Sequence, residues 1–123
     1  MAKIERFEDL QSWKKARLLT NLVYDLTGYT EFAKDFRLRD QIRDATGSVM
    51  HNIAEGFDSG SNPEFIRFMK MARRSASEVQ SQLYLAVDRK YIAMEELKKT
   101  YDIATEVKRL INGMIAYLRQ HTA

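Results

Sequence analysis

A chain of 123 residues is about one domain long and can bury roughly two-thirds of its unfolded surface, so residues 1–123 read as a single domain with a real core. Hydrophobic residues at 45% and charged residues at 30% exclude a disordered tail. The absence of cysteine excludes disulfides and thiolate metal sites, and a formal charge of +3 permits anionic partners without demanding them.

The opening MAKIERFEDLQSWKKA mixes acids with bases and has no apolar run of signal length. No stretch approaches the ~20 apolar residues of a membrane span, so a cytoplasmic location with no membrane partner is expected. One proline and five glycines leave few places to break a helix, and they divide the chain into four long segments. The first is predicted over about Glu8 to Thr27, closed by Gly28, with Leu10, Trp13, Ala16, Leu19, Val23 and Leu26 at helical spacing. GYTEFAKD reads as a loop. The second runs from about Arg37 to Glu55 on a stripe of Leu38, Ile42, Ala45, Val49 and Ile53, and Gly47 within it is read as a mark of close helix contact.

The third has the clearest start. Ser61 or Asn62 is its N-cap, Pro63 lies in its first turn, and Glu64 stands at capping-box spacing from Ser61. It is predicted to reach about Arg89, and the fourth runs from about Met94 to Gln120. Short connections from the second to the third and from the third to the fourth make these neighbours antiparallel. The expected fold is all-α, an up-down-up-down antiparallel four-helix bundle.

Two faces carry information beyond the core. Apolar residues of the fourth helix cover an arc of roughly 200°, where one core-facing stripe needs about 100°. A central helix buried widely in a small bundle accounts for some of that excess. An oligomer contact accounts for it better, with Ile103, Leu110, Met114 and Tyr117 as its residues. On the third helix Arg67, Lys70, Arg73 and Arg74 fall within about 120° of one another with no acid between Glu64 and Glu78. A solvated charged face is the plain account of this stripe. Repeated around a symmetric assembly, it becomes a field dense enough to hold RNA or DNA backbone.

Glu55 falls in the last turn of the second helix, where the macrodipole disfavours a negative charge. Gln41, Ser48, Asn52 and Glu55 share a column at the shoulder of the apolar stripe, so Asn52 and Glu55 are expected to be half-buried and partnered. Arg67, across the short loop, is the expected partner, which makes the pair a structural clamp. Gly56 or Gly60 would supply the left-handed residue that closes the second helix.

SVMHNIAEGF, followed by EFIRFMKMARRSASEVQSQLYLAVDRKYI, closely resembles the 23S rRNA-intervening-sequence proteins, whose pattern runs Ser-Ile-Pro-x-Asn-Ile-Ala-Glu-Gly. FEDLQSWKKA and RLRDQIRDAT are similar to the family's upstream elements. The resemblance implies an up-down bundle assembling as a ring-shaped homopentamer, encoded in some bacteria within sequences inserted in ribosomal RNA genes. A similarly folded relative that serves diversity-generating retroelements is a basic pentamer engaging reverse transcriptase and nucleic acid, a likeness at the level of fold. The motif match covers Asn52, Glu55 and Gly56 in the first element and Arg67, Phe68, Ala72, Arg73, Ser75 and Glu78 in the second, and implies no catalytic role for any of them. Two departures stand out: Met50-His51 replaces the motif proline, and Arg74 adds a charge where relatives commonly carry a small residue.

Catalysis has no visible carrier. His51 and Glu55 have the i,i+4 spacing of half a metal site, with Glu78 and Asp88 as further acids, but no third ligand follows from the pattern. There is no nucleophile elbow and no phosphate loop, since SGSNP opens a helix without a P-loop lysine. The expected function is therefore noncatalytic, without cofactor or metal: a homo-oligomer binding RNA or DNA backbone, or alternatively a scaffold for another protein with no nucleic-acid role.

Overall fold

The computed structural model describes residues 3–121. A single 3-10 turn, Phe7–Asp9, precedes five α-helices: α1 (Gln11–Thr27), α2 (Thr30–Lys34), α3 (Phe36–Phe57), α4 (Asn62–Asp88) and α5 (Met94–Gln120). Four are long, and no strand occurs among the described residues. None is long and apolar enough to cross a membrane. The four predicted helices correspond to α1, α3, α4 and α5. The expected start at Glu8 is instead a 3-10 turn, because Leu10 adopts an extended backbone and restarts the chain as the N-cap of α1.

GYTEFAKD, expected to be a loop, contains α2. Its only buried residue, Phe32, is fully enclosed and stacks on Tyr91 with ring centroids 5.2 Å apart. One large ring buried against the bundle end stabilises a turn of helix that its own length could not. Asp35 then caps α3 by accepting from the Leu38 N–H (3.1 Å), and its other oxygen accepts from the Tyr91 hydroxyl (2.8 Å).

The four long helices surround one core, with α1 against α3 and α5, and α4 against α3 and α5. The core has two parts. Leu19, Val23, Phe32, Ile42, Val79 and Leu83 fill the end nearest α2, and Val49, Ile53, Met69, Val107 and Ile111 fill the other. Polar contacts tie the helices together at several heights. The Thr20 and Thr46 hydroxyls join α1 to α3 (3.1 Å). Between α4 and α5, Gln80 Nε2 donates to Thr105 Oγ1 (2.9 Å), Arg73 Nη1 donates to Asn112 Oδ1 (2.7 Å), and Asn62 Nδ2 donates to the carbonyl of His121 (3.2 Å).

Candidate nucleic-acid and oligomer surfaces

α4 starts as its sequence dictates: Ser61 Oγ accepts from the Glu64 N–H (3.3 Å) and Pro63 occupies the first turn. The basic residues that follow occupy one outward face, but they are not equivalent. Arg67 donates through Nε and Nη2 to both Glu64 oxygens (3.1 and 3.0 Å), and its guanidinium carbon lies 4.6 Å from the centroid of the Phe68 ring. That hydrogen-bonded pair raises the Arg67 pKa and lowers that of the Glu64 carboxyl. Arg67 is thus the stripe's most compensated charge. Arg73 is half-buried and bound to Asn112 on α5. Lys70 and Arg74 are exposed and have no partner among the described residues, so they are the cations left to meet a ligand.

The expected Glu55–Arg67 clamp is not formed. Glu55 is exposed without a partner among the described residues, and Arg67 belongs to Glu64. The reason is local: Glu64 stands three residues before Arg67 on the same helix, where two side chains meet without crossing a loop. With Arg67 committed to Glu64, Glu55 is left on the exposed surface of α3, where a carboxylate can be solvated without a guanidinium.

Three other residues of the motif do converge, on the seam between α3 and α4. Asn52 is half-buried, and its Nδ2 donates to the Ser48 carbonyl (2.8 Å) and to Ser48 Oγ (2.9 Å). Ser75 Oγ donates across the seam to Ser48 Oγ (3.0 Å). Beside this cluster, Glu78 helps to line a shallow polar groove of about 370 Å³ that also takes in Gln41 and Asp44.

The motif glycine has a packing role. A Cβ on Gly56 would lie 2.9 Å from both Phe65 Cδ1 and Phe68 Cβ, so the end of α3 meets α4 at a distance only hydrogen allows. Gly56 is helical, however, and the left-handed residue of the connection is Gly60 (φ 92°), one of the two candidates for that place. Gly47, read as a close-contact mark, is none: beyond its own helix backbone, its would-be Cβ meets among the described residues only the His51 ring, one turn along the same helix.

On α5, Ile103, Leu110 and Met114 are half-buried and Tyr117 is 49% exposed. Ile103 and Met114 pack on the two parts of the core, so the chain itself covers some of the excess apolar arc. Tyr117 remains outside and stacks on the His121 ring at 4.0 Å. His51 and Glu55 are both exposed, and no group of three or more metal-ligating side chains assembles among the described residues.

Sequence reasoning missed one feature altogether. Arg17, Arg43 and Arg39 lie over the rings of Trp13, Tyr24 and Phe36 along the seam between α1 and α3. The signal was available for two of the pairs, since an arginine three or four residues after an aromatic on a helix can reach its ring. The third pair bridges two helices and needed the fold.

The family model of the 23S rRNA-intervening sequence proteins matches residues 8–113. The chain belongs to this family. Among solved structures, it is similar to a Bacteroides thetaiotaomicron protein of unknown function from the S23 ribosomal protein family, at 24% identity and a TM-score of 0.78. That match covers 85% of this chain and 95% of the other, and at such identity it is a likeness of fold. No curated protein sequence matches the chain.

Proposed function

We propose that this family member is a noncatalytic, cytoplasmic homo-oligomer, a pentamer by family resemblance, that binds RNA or DNA backbone through α4. The observation that carries the reading is the pair of exposed cations Lys70 and Arg74, without partners among the described residues and one helical turn apart. Two cations on one chain are a weak anion site. Repeated by the symmetry of a ring, with Arg67 and Arg73 flanking each pair, they make a continuous positive field that contacts phosphates without reading bases. The contacts of Asn62, Arg73 and Gln80 with His121, just past the end of α5, and then with Asn112 and Thr105 within it run α4 and α5 antiparallel and support an up-down-up-down course for the bundle.

The test is fluorescence anisotropy with a structured RNA across a salt series. Binding should weaken steeply with salt, and changing Arg67, Lys70, Arg73 and Arg74 to glutamate should abolish it. Unchanged affinity in that variant rejects the proposal. One observation favours the alternative of a protein scaffold: Arg67 and Arg73 are already occupied by the chain's own Glu64 and Asn112. A protein partner that stays bound to the chain after nuclease treatment, alongside absent RNA binding, is the result that reading requires.

A further inference from the structure

The seam between α1 and α3 carries a row of arginines laid over aromatic rings, where the α4 stripe has the single pair of Arg67 and Phe68. Arg17 lies 5.9 Å from the centroid of Trp13, Arg43 lies 4.5 Å from that of Tyr24, and Arg39 lies 4.9 Å from that of Phe36. Helical phase puts these pairs on one side of the molecule. The Thr20–Thr46 and Arg43–Thr27 hydrogen bonds fix which flanks of α1 and α3 face each other. Trp13, Arg17 and Tyr24 lie on the flank of Thr20, and Arg39 and Arg43 lie on that of Thr46. From Trp13 to Tyr24 the helix rises about 16 Å, and Phe36 lies beyond, so the row is on the order of 25 Å long.

Both rings and charge are open to a ligand. Tyr24 is 48% exposed and Phe36 is 65% exposed. Arg17 is exposed and has no hydrogen-bond partner among the described residues. Arg43 is held in place, because its Nε donates to the buried Thr27 Oγ1 (2.8 Å) while its terminal nitrogens make no hydrogen bond among the described residues. Arg39 is spent differently, on the Asp40 carboxylate (2.8 Å) and the Ala33 carbonyl (3.2 Å), which leaves it as a support under Phe36.

The alternation decides what this surface fits. An apolar protein interface would join its rings into one patch, whereas here a guanidinium lies on every ring. Flat rings interleaved with cations suit single-stranded nucleic acid, whose free bases stack on aromatic faces and guanidinium planes while its phosphates take the N–H donors. Duplex bases are already stacked and cannot use the rings. We infer that the α1–α3 seam is a second binding site, for single-stranded RNA or DNA, with Tyr24 and Phe36 as stacking platforms and Arg17 and Arg43 as phosphate contacts. This site does not depend on the α4 stripe.

Trp13, the only tryptophan in the chain, stands at one end of the row and reports its occupancy. Titrating the full chain with an unstructured oligouridylate should change Trp13 emission and raise the anisotropy of the labelled strand. The double variant Tyr24→Ala, Phe36→Ala, confirmed as folded by circular dichroism, should weaken single-strand binding by roughly tenfold or more, the loss expected for unstacked bases. Its binding of duplex RNA should be unchanged. Lys70→Ala with Arg74→Ala should show the opposite pattern, weakening the duplex and sparing the Trp13 response, so failure of one site is distinguished from failure of the other. Parental single-strand affinity in the aromatic double variant, a strand that binds without altering Trp13 emission, or no single-strand binding at all overturns the inference.

Discussion

Two glycines on α3, Gly47 and Gly56, have opposite surroundings and make opposite predictions. At Gly56 an added methyl meets Phe65 and Phe68 at 2.9 Å and the Phe65 carbonyl at 3.3 Å, and part of that wall is backbone, which cannot swing aside. Gly56→Ala should destabilise the chain by about 1–3 kcal/mol, the usual cost of overpacking. At Gly47 an added methyl meets only the edge of the His51 ring, at an ordinary contact distance of 3.8 Å, and the residue sits inside a helix, so Gly47→Ala should gain about 0.5–1 kcal/mol from reduced chain entropy. Urea melts of the two variants check both signs, and a stabilised Gly56→Ala would remove the close-approach account. Sequence alone ranked the two the other way round, since a glycine in mid-helix attracts attention and one at a helix end looks like a cap. The Glu55 expectation failed for a related reason: helical phase gives an angle around an axis, but whether a shoulder position is covered depends on how far the neighbouring helix stands off.

At the scale of elements, the α3 cap connects three pieces of chain. Asp35 accepts from the Leu38 N–H at the start of α3 and from Tyr91 in the α4–α5 connection, and Tyr91 in turn stacks on Phe32 of α2. The Leu38 hydrogen bond, then that of Tyr91, with Arg89 and Arg37 nearby, hold the Asp35 carboxyl below its ordinary value. A depressed carboxylate stabilises the fold above its unfolded pKa and loses that contribution as pH falls through the folded value. Asp35→Asn keeps a good N-cap residue and removes the charge, so it should lower Tm near neutrality and converge with the parent below about pH 4. Thermal melts from pH 7 downward check this, and a Tm difference that does not narrow in acid rejects it. The four long helices were legible because their stripes keep one period for many turns and proline and glycine mark the breaks; α5 matches its expected bounds at both ends. α2 was not legible, because a five-residue helix carries too little period to read and rests on Phe32 being buried by residues distant in sequence.

For the whole molecule, surface charge and self-association are one question, and salt dependence separates the answers. Each chain offers Lys70 and Arg74 on α4 as cations without partners among the described residues, so a lone copy neutralising two phosphates should give a log affinity against log salt slope of about −1.8 on a duplex. A ring that presents several copies to one nucleic acid should give a slope several times steeper. The apolar side of α5 links the two, because Tyr117 is exposed and Leu110 and Met114 are only half-covered by their own chain, surface that sister copies would seal. Met114→Lys with Tyr117→Lys places charge there while leaving α4 untouched. Light scattering on the parent should give a multiple of 14.4 kDa, and on the variant 14.4 kDa with helical circular dichroism retained. If the ring concentrates the field, the variant's salt slope should fall to the single-copy value even though its net charge has risen. A monomeric parent at micromolar concentration rejects the shared field, and so does a monomeric variant that keeps a steep slope, because the cations would then act without assembly.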